Sequence, residues 1–163
     1  MNAKDAIRQT LQLSQMVLRR YLEDLTDAEL FQRPGPGCNH LAWQLGHLIS
    51  AESQLVDALR PGAGVPLPQG FAEQHSKETA GSDDASQFRT KQQYLELFDQ
   101  ANRATLALLE QFSESELDQP GPEQLQPMLP TIGSVFLLIA THPLMHAGQF
   151  VPVRRALGKP VVI

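Results

Sequence analysis

The chain has 163 residues, 42% of them apolar, and a net charge of −5 at pH 7. That suffices for a single domain, residues 1–163, with its own core, while the lone Cys38 excludes an internal disulfide and a thiolate metal cluster. Basic residues are scattered, with only Arg19-Arg20 and Arg154-Arg155 as pairs, so the concentrated positive face that nucleic acid requires is missing.

The N-terminus carries Lys4, Asp5 and Arg8 where a secretory signal would be apolar. The longest apolar run, 135–140, is too short to cross a bilayer. A cytoplasmic protein without membrane or nucleic-acid partners is expected.

Apolar periodicity predicts four long helices. The first covers about 3–23, with Ile7, Leu11, Leu18, Leu22 and Leu25 near one face. The second covers about 39–60, with Asn39 as N-cap. A stretch rich in Gly, Pro and Ser, residues 61–84, has no strong periodicity and reads as a long connection that crosses the fold or frames a site. The third helix covers about 86–112, with Phe88, Leu95, Phe98, Leu106, Leu109 and Phe112 at helical spacing. The fourth covers about 131–157 and ends at Gly158 and Pro160. With no confident strand, the expected fold is all-α, a four-helix bundle.

A short pattern occurs twice. Leu25-Thr26-Asp27-Ala28-Glu29-Leu30 precedes Arg33-Pro34-Gly35-Pro36, and Phe112-Ser113-Glu114-Ser115-Glu116-Leu117 precedes Gln119-Pro120-Gly121-Pro122. Each hexamer contains a capping box, Thr26 with Glu29 and Ser113 with Glu116. Each follows a long amphipathic helix and precedes one that carries histidines, which suggests two related helix pairs; common turn chemistry is the alternative.

The chemistry concentrates in the histidines. His142 and His146 are four apart, so they point the same way from the fourth helix, inside a stripe of Val135, Leu138, Ile139, Met145, Gln149 and Val153. Two buried imidazoles need partners, and one divalent metal satisfies both; the alternative is a pair of ordinary helix histidines, one bonded to a carbonyl and one solvated. His47 on the second helix supplies a third ligand, and three protein ligands leave one position open, as in catalytic sites. The nearest ring nitrogens of the three should then lie within about 3–4 Å of one another. The leucine face of the second helix is about 120° from His47, which shares its side with Trp43, Ala51, Gln54 and Ala58. Small residues there let another helix approach and put His47 in an internal groove; the alternative is an exposed His47.

Other residues take lesser parts. Trp43 is expected as an apolar wall of the pocket, with Gln54 and Gln149 orienting a bound water or substrate. The pocket itself is expected between the second helix and the 61–84 connection. His40 is about 10 Å from His47 along the helix, too far to share a metal. His75, in the polar connection, is expected to be exposed, and Cys38 to be structural. Pro143 and Pro152 fall inside the fourth helix, so a kink or a break is expected there. No catalytic base is identified: Glu52 points about 140° from His47. A metal held by three neutral histidines keeps its full charge, and can acidify a bound water for hydrolysis or bind a thiolate for thiol transfer.

The segment Asn39-His40-Leu41-Ala42-Trp43-Gln44-Leu45-Gly46-His47-Leu48 resembles the second-helix motif of the DinB-like family. His142-x3-His146-x-Gly148-Gln149, followed by Arg154-Arg155-x-Leu157-Gly158-Lys159-Pro160, resembles its last-helix motif. The resemblance spans nearly the whole chain. It implies an up-down-down-up bundle with the long connection between helices two and three. It also implies one divalent metal, zinc or nickel, on His47, His142 and His146. The activity it implies is that of a thiol S-transferase acting with a low-molecular-weight thiol on a small-molecule substrate. A metal-dependent hydrolase and a non-catalytic, stress-related metal- or ligand-binding bundle are the alternatives. A homodimer is expected as well.

Overall fold

The computed structural model of the chain describes residues 1–162 and is all-helical. The long helices are α1 (Ala3–Leu22), α2 (Leu41–Leu59), α4 (Lys91–Glu110) and α6 (Ile132–Ala156); α3 (Phe71–Gln74) and α5 (Glu114–Leu117) are single turns. The main pairings set α1 against α6 and α2 against α4, with α2 also meeting α6.

Helix starts follow local hydrogen-bond chemistry, and two differ from expectation. α2 is capped by His40, whose Nδ1 accepts from the Trp43 N–H at 3.0 Å. Asn39 instead offers its carbonyl to the Gln44 amide. α4 begins at Lys91, because Thr90 and Gln93 form a capping box there, and residues 85–87 make a separate 3₁₀ turn. Pro143 and Pro152 do not end α6, which runs through both.

The duplicated hexamers build the same device twice. Thr26 and Glu29 exchange backbone–side-chain hydrogen bonds, as do Ser113 and Glu116. The first opens a 3₁₀ turn at Glu29–Phe31 and the second opens α5. Both are anchored at their ends, by Leu25 and Leu30 in one and Phe112 and Leu117 in the other, all buried.

The apolar interior falls into two clusters. One gathers Leu18, Leu22, Leu45, Leu48, Tyr94, Phe98, Phe150 and Val153; the other gathers Ile7, Leu11, Val56, Leu108, Phe136 and Ile139. In each long helix, buried polar residues occupy the stretch between its contributions to the two clusters. These are Ser14 on α1, Ser50, Glu52 and Ser53 on α2, Asn102 and Thr105 on α4, and His146 on α6. Buried polar groups in mid-bundle are costly unless paired, and bundle cores are where such folds place their sites.

By length and composition α6 could cross a membrane. Its Val135, Phe136, Ile139, Ala140, Ala147, Phe150 and Val153 are buried among the other helices, as in a core helix. Arg154, fully buried, holds its C-terminal end: the guanidinium donates to the Tyr21 carbonyl at 2.8 Å, to Asp24 at 2.5 Å and to the Pro160 carbonyl at 2.7 Å.

Candidate metal centre

The five histidines separate by what their ring nitrogens already do. His40 spends both: Nδ1 caps α2, and Nε2 donates to the Ser82 carbonyl at 3.1 Å. His75 also spends both, and it is buried, contrary to the exposure expected of a loop residue. Its Nδ1 donates to the Phe71 carbonyl at 2.7 Å and its Nε2 accepts from the Tyr94 hydroxyl at 2.8 Å. Burial holds its pKa down at about 4, so the ring is neutral. The 61–84 connection therefore folds onto α2, with Trp43 Nε1 donating to the Ser76 carbonyl at 3.1 Å as a further tie.

The other three converge. His47, His142 and His146 present nitrogens that all lie within 4.8 Å of one another. The Nε2 atoms of His142 and His146 are 3.2 Å apart. Two nitrogens each ~2.0–2.1 Å from one ion at a tetrahedral angle would be ~3.4 Å apart, so this pair fits a shared ion. The full set is somewhat wider than the expected separation. Trp43 stacks flat on His47, with ring centroids 5.0 Å apart and planes 7° apart, and so sets its orientation. His146 is buried while His47 and His142 are half-buried, which leaves one side of the cluster open.

Gln44, which sequence reasoning passed over, fixes the tautomer. Its amide Nε2 donates to the Asn39 carbonyl at 2.8 Å, so its Oε1 faces His146 and accepts from Nδ1–H at 2.8 Å. That leaves the His146 Nε2 lone pair directed at His142. Burial lowers the pKa of His146 to about 3 and of His142 to about 4, and lowers that of His47, with the neighbouring rings adding to the effect on the first two. At neutral pH the cluster is uncharged, the state that metal ligation requires. Three neutral imidazole donors suit zinc, nickel, copper or iron.

Two openings adjoin His142. A slit too narrow for a water molecule is lined by Leu48, Glu52, Leu55, Ile139, His142 and Pro143. A cleft of about 240 Å³ is lined by Ala51, Gln54, Leu55, Ala58, Leu125, Leu138 and His142. The cleft thus lies between α2, α6 and the segment before α6, not against the 61–84 connection as expected. Ala51 and Ala58 leave open space here rather than admitting a helix. Gln54 is on this cleft; Gln149 is exposed on α6, and its side chain makes no hydrogen bond among the described residues.

Glu52 is buried and accepts from the Thr105 hydroxyl at 2.6 Å. Burial raises its pKa from 4.5 to about 7. A carboxyl whose pKa is raised in the fold stabilises fully below its unfolded pKa, and that contribution fades as the pH rises through the folded value. Glu52→Gln should therefore gain stability relative to the parent between pH 4.5 and 8, by about 3 kcal/mol. Urea unfolding of both proteins at several pH values reads this directly; a pH-independent difference would contradict it.

The profile of the DinB superfamily matches residues 10–150. The chain belongs to the DinB superfamily. Members of this superfamily bind metals, and the histidine cluster of this chain is a possible metal site of that kind. A crystal structure of a conserved protein from Enterococcus faecalis is similar over 98% of this chain and 99% of its own, with a TM-score of 0.77 and 22% identity, which supports the shared fold. No curated protein matches the chain. The Arg154 motif that resembles the family's last helix is explained here by its contacts with α1 and the C-terminal segment rather than by the site.

Proposed function

We propose that His47, His142 and His146 hold one divalent ion, zinc or nickel, as the centre of a metal-dependent thiol S-transferase. The observation that carries the reading is the sorting of the histidines: His40 and His75 are fully engaged, while the three free to ligate share one cluster. When bound, such an ion supplies Lewis acidity and a site for a thiolate. Trp43 orients His47, Gln44 holds His146 in the ligating tautomer, and the half-exposed side of the cluster admits the thiol.

Hydrolysis is the weaker reading. Its natural base would be Glu52, but the slit that Glu52 shares with His142 is too narrow for water. Cobalt-loaded protein tests the choice. Addition of a low-molecular-weight thiol should produce a sulfur-to-metal absorption band, and its absence with all common cellular thiols would remove the transferase reading.

Gln44→Leu should weaken zinc binding about 10–100-fold, measured by chelator competition, because the outer partner of His146 is lost. Unchanged affinity would mean that Gln44 does not hold the ring.

The four long helices are read as an up-down-down-up bundle forming a single domain over 1–163, which the long connection after α2 supports. A cytoplasmic location and no role for nucleic acid or membrane complete the proposal. A homodimer is also proposed, supported by the exposed Leu13 and Met16 on α1 and Leu137 and Met145 on α6. Sedimentation at micromolar concentration should show twice the 18.0 kDa chain mass; a single-chain species alone would contradict it.

A further inference from the structure

The cleft beside His142 has a definite chemical character. Its walls are Ala51, Leu55 and Ala58 from α2, Leu138 from α6 and Leu125 from the segment between α5 and α6. Gln54 and His142 are the polar lining residues, and no charged residue lines it. Ala51 and Ala58 are seven apart, so they clear one strip about two helical turns long. Leu55, Leu125 and Leu138, from three separate segments, are half-buried around that strip. Each leaves apolar surface facing open space that a ligand can cover.

From this geometry we infer that the cleft is the subsite for the uncharged, apolar part of the acceptor substrate, a short alkyl or aryl group whose reacting end lies at His142. The inference rests on the metal-centre reading for the reaction, but the cleft's preference does not depend on an ion. Its volume of about 240 Å³ is below the roughly 300–1,000 Å³ of pockets for drug-sized ligands, so it fits a small group. A low-molecular-weight thiol with charged or sugar substituents is the wrong occupant, because Gln54 and His142 alone cannot repay the lost hydration of several polar groups and no charged residue lines the cleft. The thiol therefore approaches the cluster from outside the cleft, and the apolar group from within it.

Simple alcohols test the subsite on the full-length chain, with and without zinc. Hexan-1-ol should shift the backbone amide resonances of Ala51, Gln54, Ala58 and Leu138 saturably. Affinity should rise roughly fourfold for each methylene from ethanol to hexanol. Hexanoate should bind at least tenfold more weakly than hexanol. Ala58→Phe fills the cleft and should abolish these shifts; Ala51→Leu is the second variant, and circular dichroism checks that both keep the helices. Hexanol shifts that are absent, that fall elsewhere, or that persist in both folded variants overturn the subsite. Hexanoate binding equal to hexanol overturns the uncharged preference. The two readings fail separately. Saturable binding to a chain that takes up no zinc removes the metal reading alone, and zinc uptake without alcohol binding removes the subsite alone.

Discussion

Gly46→Ala will destabilise the fold by about 3 kcal/mol or more. A Cβ at Gly46 would lie 2.1 Å from Cδ2 and 2.2 Å from Nε2 of the His75 ring. That ring cannot step aside, since both its nitrogens are bonded and it packs against Phe71, with centroids 4.5 Å apart. The glycine is thus a point of close approach between the long connection and α2, one residue before His47. Urea unfolding measures the loss, and the double variant Gly46→Ala with His75→Ala should recover part of it because the clash is gone. A Gly46→Ala protein as stable as the parent would mean that the connection does not press on α2 as described.

His146→Ala will lose most zinc binding while the helices remain. The substitution removes the most buried imidazole of the cluster and should weaken binding beyond the ~10–100-fold typical of a lost outer partner. It also leaves Gln44 Oε1 without its partner, at a cost to folding of about 1–3 kcal/mol, well below a typical domain's total stability. Zinc at a hundred times its dissociation constant should stabilise the parent by ~2.7 kcal/mol and the variant by almost nothing. Thermal melts with and without zinc show both effects. Loss of helicity together with the metal would make the ion structural, and parental affinity would remove His146 from the ligand set.

The helical class and the shared face of His142 and His146 were legible because both follow from periodicity, whereas the meeting of His47 with that pair was implied by the family resemblance. An i,i+4 pair shares a face in any helix, and Trp43 lies on the His47 side by the same rule. What a wheel cannot supply is how two helices turn toward each other. Glu52 points away from His47 on the wheel, yet it lines the same slit as His142 between α2 and α6. Gln44, not Gln149, reaches the cluster, because its place depends on how α2 faces α6 and on the Asn39 carbonyl that orients its amide. His75 was misplaced for a different reason. A polar, aperiodic segment reads as solvated, and only the match between its ring, Gly46 and Tyr94 brings it inside.

The most direct test of the account is X-ray absorption on the zinc-loaded chain. It should report one zinc per chain with three imidazole nitrogens at ~2.0–2.1 Å and one further light-atom ligand, the latter replaced by sulfur at ~2.3 Å when a thiol is added. A chain that retains no zinc, or a zinc closed by four protein ligands and indifferent to thiol, would contradict the account.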